Sequence, residues 1–94
     1  MTKEESKPYL EAVIDWDLEE EEGKLKIEKK FTFLDFKSSL DFVNKIGEIA
    51  EEEGHHPEIE LSWGKVEVEL YTHAIGGLSV KEFIMAAKIN KLQP

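Results

Sequence analysis

The sequence predicts an α+β domain in two layers, a four-stranded antiparallel sheet with its helices on one face. Two pairs of segments alternate apolar and polar residues, as half-buried strands do. Each pair is followed by apolar residues at the three- and four-residue spacing of an amphipathic helix. The predicted order of elements is therefore ββαββα. The first eight residues are mostly polar and end in Pro8, so residues 1–8 are expected to form a flexible tail.

Residues 9–94 are expected to form one domain, because a chain of 94 residues suits a single core. A short helix at the start of this domain, over Tyr9–Ala12, is left open. The first strand is predicted over Val13–Leu18 and the second over Lys24–Phe33, with Gly23 in the turn between them. The second strand alternates through Leu25, Ile27, Phe31 and Phe33.

The rest of the chain repeats this plan after a long helix. Asp35 is a good N-cap and Gly54 a good C-terminal stop, so this helix is predicted between them. A second hairpin is predicted from Ile59–Trp63 and Val66–Leu70. The segment Ser79-Val80-Lys81-Glu82 has the pattern of a capping box and predicts the start of the last helix.

The composition excludes several classes of function. Without cysteine, the chain has no disulfide, no thiolate metal site and no cysteine nucleophile. The net charge of -9 argues against nucleic acid as a partner. The acidic runs Glu19–Glu22 and Glu51–Glu53 are interpreted as solvated turns or helix ends. No apolar run approaches the roughly 20 residues of a membrane span, so no membrane partner and a cytoplasmic location are expected.

All three histidines, His55, His56 and His73, fall within one short part of the sequence. The adjacent pair follows the predicted long helix, and His73 follows a predicted strand. Imidazole has an unperturbed pKa nearer to neutral pH than any other side chain, so such a cluster indicates proton transfer or metal binding. Rigid elements commonly present catalytic groups from their ends. The alternative interpretation is a chance cluster of surface histidines.

The histidines also belong to a longer motif. It comprises Glu51-Glu52-Glu53-Gly54-His55-His56-Pro57, then Trp63, His73 and Glu82. This spacing resembles that of the pterin-4a-carbinolamine dehydratases, a family that includes the dimerisation cofactor of a homeodomain transcription factor. The resemblance covers most of the chain from Trp16 onward. The family usually has an acidic residue at the position of Gly54, a Trp at Ile59, commonly an Asn at Leu61, and an Asp at Glu82.

The resemblance implies a hydro-lyase that converts a 4a-hydroxytetrahydropterin into a quinonoid dihydropterin, with no cofactor and no metal. Losing water requires one proton delivered to the departing oxygen and one taken from a ring nitrogen. We interpret His55 and His73 as this acid–base pair, since such groups contribute about 10²–10⁴-fold each. We interpret His56 as a group that orients the substrate or stabilises charge.

Glu51, Trp63 and Glu82 are the expected substrate-binding residues. The resemblance implies that Glu51 holds a histidine or contacts the pterin, and that Trp63 lines the pocket. Each also has a simpler structural explanation: Glu51 as a solvated helix residue and Trp63 as core or hairpin packing. The capping box with Ser79 is the favoured explanation for Glu82.

Two other functions remain open at this point. A relative with an altered pocket could serve only as a protein-interaction or dimerisation module. Three neutral imidazoles could also bind zinc, although adjacent histidines rarely direct both rings at one ion. The expected partners are a reduced pterin and copies of the same chain. A small core and unprotected strand edges predict a homodimer through sheet edges, and the family's packing through helices implies a homotetramer.

Overall fold

The computed structural model describes residues 1–92 and contains three helices and four strands in that range. In chain order they are α1 (Lys3–Ala12), β1 (Asp17–Glu21), β2 (Lys24–Thr32), α2 (Phe36–Glu53), β3 (Glu58–Ser62), β4 (Lys65–Leu70) and α3 (Val80–Asn90). A short 3₁₀ turn, His73–Ile75, follows β4. The predicted domain, residues 9–94, ends two positions beyond the described range.

The four strands form one antiparallel sheet in the order β1-β2-β4-β3, so β1 and β3 are its edges. One face is apolar and fully buried at Ile27, Val66, Val68 and Leu70. Helix α2 packs against β3 and β4 and also contacts α3. The predicted α+β fold with a four-stranded antiparallel sheet is confirmed.

The other face of the sheet is polar. One row of cross-strand neighbours is acidic on every strand: Asp17 pairs with Glu28, Glu28 with Glu69, and Glu69 with Glu58. Lys26 lies beside this row and forms ion pairs with Glu69 and Glu21. Those two carboxylates raise the pKa of the Lys26 ammonium.

The predicted flexible tail over residues 1–8 is wrong, because most of it belongs to α1. Thr2 caps this helix: its hydroxyl accepts from the Glu5 amide, and the Glu5 carboxylate accepts from the Thr2 amide. The terminal ammonium of Met1 donates to the Leu78 carbonyl, and Tyr9 stacks on Phe83 of α3. These contacts hold a helix that contains Pro8 in its middle, where proline removes a backbone donor.

The first strand begins later than predicted. The segment predicted as Val13–Leu18 starts as an irregular connection, and β1 covers Asp17–Glu21. Val13 and Trp16 are nevertheless buried in the core, and the Trp16 indole donates to Asn90 Oδ1 at 2.9 Å. Their burial explains the apolar pattern that the sequence shows there. The acidic residues Glu19–Glu21 are exposed, but they form an edge strand and not a turn.

The predicted ends of the two core helices are confirmed. Asp35 Oδ1 accepts from the Ser38 amide at 2.8 Å, a bond that lowers the pKa of this carboxyl. Gly54 ends α2 in the left-handed conformation at φ 62°, which favours glycine. At the start of α3, the capping box of Ser79 and Glu82 is formed.

Within residues 1–92, no helix is both long and apolar enough to cross a membrane. The cytoplasmic location stays a prediction.

Candidate active site

The histidines lie where α2 and β4 end, at the end of the sheet where β3 begins. The left-handed Gly54 turns the chain out of α2 and into His55, whose amide donates to the Ala50 carbonyl at 3.1 Å. After β4, Thr72 pairs with Gly77 through both backbone hydrogen bonds and closes the short loop that carries His73. Regular elements therefore fix the backbone on both sides of the site.

His55 is held by the carboxylate of Glu82. Its Nε2 lies 3.1 Å from Glu82 Oε2 and 3.4 Å from the Tyr71 carbonyl oxygen. The Glu82 side chain is fully buried, whereas that of His55 keeps 14% of its surface exposed. Thr72 Oγ1 donates to the same carboxylate at 2.8 Å, and the Ser79 amide donates to its other oxygen at 2.6 Å. Hydrogen-bonding groups therefore contact both oxygens of Glu82, as burial of a polar group requires.

This arrangement selects one tautomer of His55. Because an ionised carboxylate only accepts hydrogen bonds, Nε2 of the neutral ring must carry the proton and Nδ1 the lone pair. Nδ1 is buried and has no hydrogen-bond partner among residues 1–92. An unpartnered basic nitrogen can take up a proton, but a substrate reaches the buried Nδ1 only if the side chains around it move.

His56 is paired in a different way. Its side chain is 66% exposed, and its Nε2 lies 2.6 Å from Oε2 of Glu51, in the last turn of α2. Glu51 is itself mostly exposed, so it is both a solvated helix residue and a partner of a histidine. The contact fixes the ring at the surface and leaves it accessible to a ligand.

His73 is exposed and packs against the side chain of Tyr71. The two ring centroids are 4.5 Å apart, and the Tyr71 hydroxyl donates to Glu58 Oε1 at 3.0 Å. This bond raises the pKa of the Tyr71 hydroxyl, with smaller contributions from burial and from the charge of Glu58. Within residues 1–92, the ring nitrogens of His73 form no hydrogen bond to protein. They are free for a substrate.

An open pocket of about 530 Å³ begins at His73. It extends over the polar face of the sheet past Tyr71, Glu58 and Glu69 to Lys26 and the β1–β2 turn. The volume lies in the range of small-molecule sites, roughly 300–1,000 Å³. His55 and His56 do not line this pocket, so only one of the three histidines faces it in the single chain.

Within one chain, Trp63 lies apart from the histidines and does not line the pocket that begins at His73. It occupies the β3–β4 turn and is 71% exposed. The histidines lie at the other end of β3, and at about 3.3 Å per residue its five residues place Trp63 roughly 17 Å away. Its exposure also excludes the alternative of core packing.

The sequence prediction missed three residues of the site: Tyr71, Thr72 and Glu58. The strand alternation carried a signal for Tyr71, because positions two apart on an extended chain share a face and Tyr71 precedes His73 by two. The roles of Thr72 and Glu58 depend on pairings between distant elements, which a local pattern does not contain. The prediction for Glu82 was too narrow, because this residue both completes the cap and holds His55.

No group of three or more His, Asp or Glu side chains in the described range has the geometry to hold one metal ion.

Comparison with known proteins identifies one family. The family model described as pterin 4 alpha carbinolamine dehydratase matches residues 1–92. A protein of Chlorobaculum tepidum, provisionally named pterin-4-alpha-carbinolamine dehydratase, is 47% identical over 92 residues, which cover 98% of this chain and 83% of that protein. The mitochondrial pterin-4-alpha-carbinolamine dehydratase 2 of Arabidopsis thaliana is 44% identical over 94 residues. This chain spans 50% of the length of the plant protein.

Solved structures share the fold. The crystal structure of a transcriptional coactivator/pterin dehydratase from Brucella melitensis matches all of this chain and 98% of that one, with a TM-score of 0.89 and 30% identity. A pterin dehydratase-like protein described as a RuBisCO assembly factor in the alpha-carboxysome matches 83% of this chain, with a TM-score of 0.71. At 22% identity, the second likeness concerns the fold alone.

Proposed function

This chain belongs to the pterin-4-alpha-carbinolamine dehydratase family, and we propose that it is a hydro-lyase that removes water from a 4a-hydroxytetrahydropterin. The family resemblance predicted from the histidine motif is thereby confirmed. The finer proposal concerns the chemistry: histidine side chains move the protons of the elimination, and the product is a quinonoid dihydropterin.

The elimination has a simple proton balance. The bond between C4a and the hydroxyl oxygen breaks, the oxygen receives a proton and leaves as water, and N5 loses its proton as the C4a–N5 double bond forms. One group must give a proton and another must take one. Two imidazoles placed on either side of the reacting atoms meet this requirement near neutral pH.

The observation that carries the proposal is the contact between His55 and the buried Glu82. A carboxylate on Nε2 fixes the tautomer and stabilises the positive charge that the ring acquires when Nδ1 takes a proton. His73 provides the second imidazole, with both ring nitrogens free of protein partners in residues 1–92. His56, held by Glu51 at the surface, is proposed to orient the substrate.

The proposed substrate site is built around His73. The pocket that begins there holds carboxylates and a lysine on the polar sheet face, which suit the donors and acceptors of a pterin ring. Glu51 is proposed to act through His56, and Glu82 through His55. Neither residue needs to touch the pterin.

We also propose that the chain self-associates. Four large apolar side chains, Leu34, Phe36, Leu40 and Trp63, are exposed at 92%, 46%, 40% and 71%. The Phe33 amide donates to the Gly64 carbonyl at 2.8 Å, which ties the segment before α2 to the β3–β4 turn that carries Trp63. We call these four residues the apolar end. Such side chains favour contact with another copy of the chain.

The test of the proposed activity is a turnover assay with a carbinolamine generated in situ. We expect the protein at micromolar concentration to accelerate formation of the quinonoid product well above the uncatalysed dehydration. A rate equal to the uncatalysed one would contradict the proposal and favour the alternative, an interaction module without catalysis. Elemental analysis after gel filtration tests the further expectation that no metal is retained.

A further inference from the structure

Tyr71 contacts both histidines that we propose to move protons. Its ring packs against the imidazole of His73, with centroids 4.5 Å apart and planes at 56°. Its carbonyl oxygen lies 3.4 Å from Nε2 of His55. The residue therefore links two groups that come from distant parts of the chain.

The ring of Tyr71 is itself fixed at both ends. Its backbone directly follows β4, next to the fully buried Leu70. Its hydroxyl donates to Glu58 Oε1 at 3.0 Å, and Glu58 begins β3. Because this bond raises the pKa of the phenol, the hydroxyl stays protonated and remains a donor at neutral pH. The side chain thus spans the adjacent ends of two strands.

His73 needs such support, because its own surroundings constrain it little. It is exposed, it lies in a 3₁₀ turn of three residues, and its ring has no hydrogen bond to residues 1–92. The aromatic ring of Tyr71 packs against the imidazole and is therefore placed to limit its rotation. A group that transfers a proton must lie within hydrogen-bond reach of the reacting atom, so its orientation affects the rate.

We infer that Tyr71 is a positioning residue that holds the His73 imidazole in its working orientation, with Glu58 as the anchor of the Tyr71 hydroxyl. The inference rests on the proposed function in one respect, namely that His73 acts on the substrate. Tyr71 lines the pocket but acts through His73.

The first readout is structural and needs no activity. The neighbouring aromatic ring shifts the carbon-bound proton resonances of the His73 imidazole, which NMR detects in the free protein. Tyr71→Leu should move these resonances to the values of an exposed histidine, whereas Tyr71→Phe, which keeps the ring but loses its anchor, should shift them less. Tyr9→Phe is the matched control, because it removes the hydroxyl of the other tyrosine, on α1, and should leave His73 unchanged.

The second readout is kinetic. We expect kcat to fall about 3-fold for Tyr71→Phe and about 10–30-fold for Tyr71→Leu, with KM nearly unchanged, since misplacing a reacting group by about 1 Å costs up to 10²-fold. Glu58→Ala should lower kcat as much as Tyr71→Phe does, and its KM should rise because Glu58 lines the proposed substrate pocket. Glu58→Gln, which keeps an acceptor oxygen, should lose less kcat. The kcat of the double variant Tyr71→Phe/Glu58→Ala should be no lower than that of either single variant, because both substitutions remove the same hydrogen bond.

The outcomes separate the two proposals. His73 resonances that stay at their wild-type values in folded Tyr71→Leu would overturn the inference. Displaced resonances with an unchanged kcat would overturn it as well, by showing that the orientation of His73 does not limit turnover. If Tyr71→Leu fails to fold, Tyr71→Phe and Glu58→Ala decide through the same two readouts. An inactive wild-type protein would instead overturn the proposed function, and the NMR comparison would still report whether Tyr71 holds His73.

Discussion

At the scale of single residues, the site depends on Glu82, a buried carboxylate with two tasks. One oxygen completes the cap of α3 by accepting from the Ser79 amide, and the other accepts from Thr72 and His55. The cap explains why the residue is acidic, but not why it is buried at the histidine cluster. The contact with His55 does explain this.

We expect Glu82→Gln to lower kcat about 10²-fold while KM changes little. The Gln oxygen can still accept from Ser79, but its amide would place a donor opposite Thr72 and Nε2 of His55. His55 would then adopt the other tautomer, with the proton on the buried Nδ1. Steady-state kinetics and ¹⁵N spectra of the imidazole measure both effects, with Glu48→Gln on the exposed side of α2 as control. Wild-type kinetics in Glu82→Gln would show that the cap is its only role.

The candidate site shares the three histidines, Glu51 and Glu82 with the sequence motif, because these residues are close along the chain or follow element ends. Trp63 lies at the end of β3 away from the histidines, and spacing along the sequence does not indicate which end of a strand a residue occupies. Tyr71 was missed because tyrosine in a strand is usually packing, and only its contacts with His73 and Glu58 distinguish it. These contacts join β3, β4 and the loop after β4, so they depend on the folded topology.

At the scale of elements, α1 is the helix that residue patterns along the sequence failed to predict. Proline in a polar segment predicted a tail, yet the cap at Thr2 and the contacts of Met1 and Tyr9 hold a helix there. The strands and the two core helices were predicted from their apolar and polar residues. This works because burial of one face determines both the spacing of apolar residues and the secondary structure. The position of β1 was wrong because Val13 and Trp16 are buried without being in a strand.

We expect Pro8→Ala to stabilise the protein, because alanine restores a backbone donor in the middle of α1. Each kcal/mol gained should raise the melting temperature by about 4–8 °C in a domain of this size. Thr2→Ala should instead lower the free energy of unfolding by about 1 kcal/mol, since it removes the cap of α1. Thermal unfolding followed by circular dichroism measures both. A lower melting temperature in Pro8→Ala would show that the proline ring makes packing contacts that outweigh the missing donor.

At the scale of the whole molecule, the charge of Glu28 in the acidic row of the polar sheet face opposes folding. Partial burial raises the pKa of Glu28, and repulsion from Glu19 and Glu69 adds to the increase. A carboxyl with a raised pKa in the folded state destabilises that state once pH exceeds its unfolded value, and the cost is complete above the folded value. Below the ordinary value of 4.5 the effect disappears, because Glu28 is protonated in both states.

We therefore expect Glu28→Gln to raise the melting temperature at pH 7 by about 1–3 °C. The gain should shrink as pH falls toward the ordinary value of 4.5. Glu48→Gln, which replaces an exposed carboxylate of α2, is the control and should show little change at either pH. A gain for Glu28→Gln that is independent of pH would mean that the charge of the partly buried Glu28 is not its cause.

The exposed side chains of the apolar end predict that the protein forms oligomers. Light scattering at micromolar concentration should show two or more chains per particle, and Leu34→Asp should lower the mass because it places a charge among exposed apolar side chains. Ile14→Asp, at another side chain exposed at 72%, controls for the added charge. A monomeric wild-type protein would contradict self-association.

The most direct test of the central claim is a double-mutant cycle on His55 and His73, measured as kcat/KM for carbinolamine dehydration. If the two imidazoles transfer the two protons of one elimination, each alanine substitution should lower kcat/KM by about 10–10³-fold. The double variant should then lose far less than the product of the single losses, because groups that act as a unit are not additive. Wild-type values in both His55→Ala and His73→Ala would contradict the assignment.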